Sequence, residues 1–334
     1  MTPQNSPLYR LIAVIGEGSF GVVYQGYDYR NRLVAIKRTP KLGTAISREV
    51  SVLRSLRHPN IIHIRDLFYS FTESNEEDAD NDTKRKVFQN IVMDYIPSNI
   101  HSIITSDQFL SNDWIMTISF QLLLALSHMY LNNVVHRDLT PKNVLYNPQT
   151  KEIKVCDFGS AKVIVNSSME SSTCYICTRH YRAPELLLGS TTYNTAVDTY
   201  AAGLLIAECF LRKPVFPGNS TVEQLKLILS ALRPTKNDMI KLCPELKKVN
   251  ISFEGNCIDN LLNSIPETPR NLILKMISFS PEKRPTPFDC LKHPWFSPIY
   301  GRDCVNLLPK YFKNGVDFDH QMRPNLWIRK CGNK

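Results

Sequence analysis

The stretch GEGSFGVV (16–23) sets Gly16, Gly18 and Gly21 ahead of Val23. Glycines let backbone amides come close to a phosphate. Dinucleotide-binding folds share the G-x-G-x-x-G spacing, but they need a helix directly after the glycines. Here VVYQGYDY and then LVAIK follow, and both read as strands. That favours a glycine flap laid over a nucleotide. VAIK (34–37) puts Lys37 on the next strand, in a context where its ammonium would reach the nucleotide's phosphates. Glu49, on an expected helix, is the acidic partner that would orient it. Further along, HRDLTPKN (136–143) holds Asp138 and Asn143 five apart, CDFG holds Asp157, and APE occupies 183–185. Each has an ordinary structural reading when taken alone: a strand-end lysine, a satisfied core histidine at His136, an ion-paired Glu185. Their order and spacing across 16–185 carry the chemical reading.

The elements that must position these residues change character along the chain. Residues 9–40 alternate apolar and polar around glycines, which suggests short strands. TAISREVSVLRSLR (44–57) has Ile46, Val50, Leu53 and Leu56 at helical spacing. Strand patterns follow at 61–71 and 87–96, separated by the solvated loop ESNEEDADNDTKRK. From 111 the pattern becomes helical, is interrupted by a loop-rich segment at 136–185, and returns at 196–211 and 221–232. Residues 233–268 look loop-rich, 269–279 helical, and 298–334 show no periodicity. There is no internal repeat. A strand-rich part followed by a larger helical part is an α+β plan.

Bulk properties narrow the classes. With 43% hydrophobic and 21% charged residues, the chain has an ordinary globular balance. The net charge of +9, from 40 basic and 31 acidic residues, suits anionic ligands such as phosphates. No nucleic-acid module is visible, so no nucleic-acid partner is expected. The nine cysteines include a single C-x-x-C, Cys174 and Cys177, with no second pair to complete a zinc site. Reduced thiols in a cytoplasmic or nuclear protein are the expectation. The N-terminus lacks a signal-peptide pattern. The apolar stretch 201–211 is too short to span a bilayer and carries Glu208, so it reads as a buried helix with no membrane role.

Taken together, the motifs resemble those of eukaryotic protein kinases. The resemblance implies a bilobal α+β fold over 9–297, with a small strand-rich N-lobe (about 9–94), a hinge (about 94–98) and a larger mainly helical C-lobe (about 99–297). Residues 298–334 would be an extension. It implies ATP and Mg²⁺ as cofactors and protein substrates as partners. Lys37 would contact the α- and β-phosphates, Glu49 would orient it, and Asp138 would accept the substrate hydroxyl proton. Asn143 and Asp157 would be the metal ligands.

Within that fold the chain resembles glycogen synthase kinase 3, the shaggy-like kinases. FYSF…VFQNIVMDYIP (68–97), KVCDFGSAK (154–162) and YICTRHYRAPEL (175–186) carry the likeness. It implies a non-specific serine/threonine protein kinase that prefers substrates already phosphorylated four residues C-terminal to the target. Its partners would be phosphoproteins and scaffold proteins. The priming phosphate would sit on Arg48, Arg137 and Lys162. Arg48 and Glu49 are neighbours on a helix, about 100° apart, so each can face a different ligand. A phosphate on the chain's own Thr173 or Tyr175 is the competing occupant of those basic residues. Tyr175 matches the family's phosphorylated tyrosine. Val23, Ala35 and Leu145 would sandwich adenine, Asp94 and Ile96 would offer hinge backbone groups, and Met93 would stand at the back of the pocket. Asp198 would brace the catalytic loop, and Arg284 would pair with Glu185.

Cyclin-dependent kinases are a second resemblance, through TAISREVSVL and YNTAVD (193–198), but the serine before Arg48 breaks the cyclin-type pattern. Other departures concern regulation and rate. MTPQNSPLYR has no counterpart of the shaggy-like inhibitory serine, and the stretch after Leu246 departs from the family's scaffold-binding loop. Thr140 stands where serine/threonine kinases carry a lysine that neutralises the γ-phosphate. Loss of such a charge costs on the order of 10²–10³-fold in rate. Lys142, two residues later, is the candidate replacement. A pseudokinase, an ATP-binding scaffold with weak activity, is the alternative of a different class. The retention of Lys37, Glu49, Asp138, Asn143 and Asp157 argues against it.

Overall fold

The computed structural model describes residues 8–18, 21–41, 47–72, 86–164, 178–248 and 255–299. The chain divides into two compact units, Met1–Arg57 with Ile62–Pro97 and His58–Ile61 with Ser98–Lys334. The first is strand-rich and the second mainly helical, as the α+β reading expected.

The first unit contains β1 (Tyr9–Gly18), β2 (Gly21–Asp28), β3 (Leu33–Pro40), α1 (Arg48–Ser55), β4 (Ile64–Thr72) and β5 (Lys86–Asp94). Its strands form one antiparallel sheet in the order β1-β2-β3-β5-β4. Val34, Ile36 and Val92 form a core on one face with Tyr9, whose ring stacks on Phe68 at 5.2 Å. Side chains directly opposite one another in an antiparallel pair share a face. Val23 lies opposite Lys37, Lys37 opposite Ile91, and Ala35 opposite Met93. These residues therefore line the other face. The helix read over 44–57 starts at Arg48, because Ser47 caps it, and stops at Ser55, with Leu56 already extended. Ile46 lies outside the described residues. The strand read from 61 starts at Ile64; Ile61 instead bridges to Val155 in the second unit.

The second unit contains β6 (Ser98–Asn99), α2 (Ile100–Ile104), α3 (Asn112–Leu131), β7 (Val134–Val135), β8 (Val144–Asn147), β9 (Glu152–Val155) and β10 (Lys162–Val163). It continues with α4 (Pro184–Leu187), α5 (Ala196–Leu211), α6 (Thr221–Leu232), α7 (Lys236–Leu242), α8 (Ile258–Leu261), α9 (Glu267–Met276) and α10 (Pro287–Leu291). α3 is long and apolar enough to cross a membrane by composition, yet 67% of its most apolar window is buried inside the protein. α5 is the buried helix expected at 201–211. Its Glu208 is held by the Tyr181 hydroxyl at 2.6 Å, and burial raises the carboxyl's pKa. The loop-rich reading of 233–268 needs correction, because α7 and α8 lie there. Thr235 caps α7 by accepting from the Asp238 N–H and donating to the Asp238 carboxylate. Helices of seven and four residues are too short to leave a periodic signature. Among the described residues, Cys209, Cys257 and Cys290 are free thiols.

Candidate active site

In the first unit the glycine flap and Lys37 are set by strand register. Gly16 lies opposite Val23, and Val23 opposite Lys37, so the three stand abreast across β1, β2 and β3. Gly21 is required by the fold itself. Its φ is +145°, and a Cβ there would meet the Arg38 carbonyl oxygen at 2.2 Å. Gly18 is different, because a Cβ there would meet nothing within 4 Å among the described residues. Gly16 would make only ordinary contacts with Val23, at 3.7 Å and beyond. Packing among the described residues does not demand glycine at these two positions. Close approach of a ligand to the backbone does explain it, so the flap fits a nucleotide phosphate.

Lys37 and Glu49 are both buried, at 7% and 8% exposure, and Lys37 Nζ donates to Glu49 Oε1 at 2.7 Å. Val50, Val52 and Leu53 seat α1, and the Ser47 cap fixes its first turn. Arg48, next to Glu49, is exposed. Ala35 and Met93 are buried on the Lys37 face. Asp94 ends β5, with its side chain taken by Arg65 at 2.6 Å, and Ile96 follows in irregular backbone.

In the second unit the loop 136–143 is tied down at both ends. Asp198 accepts the backbone N–H groups of His136 at 2.7 Å and Arg137 at 3.0 Å. This is the bracing role read for Asp198. Burial raises its carboxyl pKa, against the pull of those two N–H donors and of the Arg137 charge. The His136 ring is fully buried, with Nδ1 accepting the Asp138 N–H and Nε2 facing the Cys156 carbonyl at 2.9 Å. Those partners require the ring proton on Nε2. Cys156 N–H donates to the Asn143 carbonyl at 2.9 Å, which sets Asp157 next to Asn143. Asp157 has φ +61° and Arg137 φ +69°, left-handed values that non-glycine residues adopt at a price in strain.

Asn143 turns its amide nitrogen onto Asp138, at 2.8 Å to the carbonyl and 3.3 Å to Oδ2. Its side-chain oxygen is the remaining acceptor. With the Asp157 carboxylate, that makes a hard-oxygen donor set suited to Mg²⁺. Asp138 Oδ1 accepts from both the N–H and the hydroxyl of Thr178, at 2.9 and 3.1 Å. Sequence reading gave Thr178 no role; its only signal was its place between CDFG and APE. Tyr193, also given no role, receives a hydrogen bond from Arg137 Nη1 at 2.9 Å, and Arg137 Nε donates to the Ser160 carbonyl. β7–β10 pairing puts Lys162 opposite Val135, two residues before Arg137. Leu145 is half-buried on β8. Thr140 is buried and precedes the short 3-10 turn Pro141–Asn143, on which Lys142 is exposed. His101 on α2 has its pKa lowered by burial first and then by the Lys142 charge. Thr173 and Tyr175 lie outside the described residues. Arg284 and Glu185 form the expected ion pair, buried and double, at 2.7 and 2.8 Å.

Comparison with known proteins agrees with this geometry. Residues 9–296 match the protein kinase domain. A probable serine/threonine-protein kinase, glkA, from Dictyostelium discoideum is 36% identical over 298 residues, covering 87% of this chain and 59% of the relative. The chain thus spans about three fifths of the length of that curated relative. With the glycine flap, the Lys37–Glu49 pair and the Asp138–Asn143–Asp157 loop cluster in one α+β chain that matches over nearly all its described residues, this protein belongs to the protein kinase family.

Proposed function

We propose that this chain is an active serine/threonine kinase that transfers the γ-phosphate of ATP to protein hydroxyls. The buried Lys37–Glu49 ion pair at 2.7 Å carries the reading, because it fixes a lysine ammonium in register with the glycine flap, where a nucleotide's phosphates would lie. Bound Mg²⁺–ATP supplies the phosphoryl group and the cation that neutralises it. The Gly16 and Gly18 amides would hold its phosphates, and Lys37, held by Glu49, would pair with them. Asn143 and Asp157 would hold the metal. Asp138, fixed by Thr178 and Asn143, orients the substrate hydroxyl and takes its proton. Catalysis then rests mainly on positioning and charge.

The finer proposal is shaggy-like specificity, with a priming phosphate on Arg48, Arg137 and Lys162. In its support, Arg48 is exposed beside Glu49, and strand pairing brings Lys162 close in register to Arg137. Lys142 supplies the cation that Thr140 lacks; it is exposed on the turn that also carries Asn143. The deciding experiment compares phosphate incorporation from Mg-ATP into two otherwise identical peptides, one with phosphoserine four residues after the target serine. Preference for the primed peptide supports both proposals. Equal rates keep the kinase and remove the shaggy-like specificity. ATP binding without transfer supports the scaffold alternative.

A further inference from the structure

The start of α1 carries a connection that local pattern does not reveal. The Ser47 hydroxyl oxygen accepts the Val50 N–H at 3.4 Å, an ordinary helix cap. The same oxygen accepts from Gln89 Nε2 at 2.9 Å. Gln89 lies on β5, opposite Thr39 and Tyr69, and is only 2% exposed. Two residues along β5, Ile91 faces Lys37. Gln89 and Lys37 therefore share a face of the sheet, one pleat apart, just as Ser47 and Glu49 stand two residues apart at the start of α1. The hydrogen bond and the ion pair are parallel ties between the same helix end and the same sheet face.

Gln89 gains little here as packing. Its side-chain oxygen is buried with no hydrogen-bond partner among the described residues. A leucine would occupy the position without that loss. What the amide adds is its bond to Ser47. A helix of eight residues has little stability of its own, so its orientation depends on what it touches.

We propose that the Gln89–Ser47 hydrogen bond is a built-in latch that holds α1 on the sheet, keeping Glu49 on Lys37 without an activating partner protein. The proposal rests on the kinase reading of that pair, and it names Ser47 and Gln89 as positioning residues. Ser47 is the residue that breaks the cyclin-type pattern. A helix tied from within its own chain has no need of a cyclin-like subunit to seat it.

The test uses the full chain as wild type, Gln89→Leu, Ser47→Ala, the double variant, and Ser47→Asp, which keeps both the cap and the acceptor. Two readouts are taken: amide hydrogen exchange across α1 without nucleotide, and turnover separated into kcat and peptide KM. Gln89→Leu is expected to speed exchange in α1 and lower kcat about fivefold, the factor for one hydrogen bond. Its peptide KM and thermal midpoint should not fall. The double variant should be no worse than Ser47→Ala, and Ser47→Asp should match wild type. Unchanged α1 exchange in Gln89→Leu, or single effects that multiply in the double variant, would overturn the latch. A wild type that binds ATP but transfers no phosphate would instead remove the kinase reading, and the exchange data would still decide the latch.

Discussion

The Asp198 carboxylate holds the backbone N–H of Arg137 at 3.0 Å while that residue sits at φ +69°. A buried acid on α5 thereby stabilises a left-handed turn directly before Asp138. The turn persists because its surroundings over-determine it. Asp198→Asn replaces one acceptor with a donor facing an N–H. It should lower the thermal midpoint and cut kcat at least about tenfold, since a hydrogen bond to a charged group contributes about 1.5–3 kcal/mol. Unchanged turnover in a well-folded variant would remove the bracing role.

The Lys37–Glu49 ion pair should act as a unit in turnover. Lys37→Met and Glu49→Gln should each lower kcat/KM by on the order of 10²-fold, and the double variant should be little worse than Lys37→Met alone. Strictly multiplicative losses in steady-state kinetics would show two independent contributions instead.

Lys142 tests the Thr140 departure. Lys142→Ala should lower kcat by on the order of 10²-fold while ATP binding, read by nucleotide fluorescence, stays intact. Turnover at the wild-type level would show that another group neutralises the γ-phosphate.

The Arg284–Glu185 pair is almost fully buried, at 0% and 3% side-chain exposure. Arg284→Met leaves the Glu185 carboxylate without its ion partner in the interior. The expected loss is about 3–5 kcal/mol, seen as a fall in the thermal midpoint of on the order of 10 °C. A shift within a degree or two would make the pair dispensable.

Acid should weaken the second unit through His58 and His128, whose rings stack at 5.3 Å. His58 is held well below its ordinary pKa by burial first, then by the His128 and Lys154 charges; His128 is lowered by burial. Both stay neutral in the fold but take up protons in the unfolded chain as pH falls below about 6.5. The unfolded state then binds more protons, so stability falls with pH from that point down to the folded pKa values. Each histidine contributes a slope of up to about 1.4 kcal/mol per pH unit. Urea unfolding at pH 7 and pH 5.5 should show the loss. His58→Asn, which keeps an acceptor for the Asn60 N–H, should reduce the slope. An unaltered slope would assign the acid sensitivity to other groups.

Much of this protein is legible in its residues alone. Alternation and glycines announce β1 to β3, apolar spacing announces α5 and α6 at their observed bounds, and the motif order announces the protein kinase family. These signals are local, because a strand or helix repeats its side-chain pattern within a few residues. The short helices α7 and α8 escaped because one or two turns repeat nothing, and Ile61 left the strand reading because its partner is Val155, far along the chain. The connections that hold the site are of that second kind. Thr178 meets Asp138 across 40 residues, Ser47 meets Gln89 across 42, and Asp198 meets His136 across 62. The sequence by itself determined which residues could do phosphate chemistry, since residue type and spacing encode that directly. Only the tertiary structure decided what holds them, because a hydrogen bond between distant residues exists only after folding has brought its two ends together.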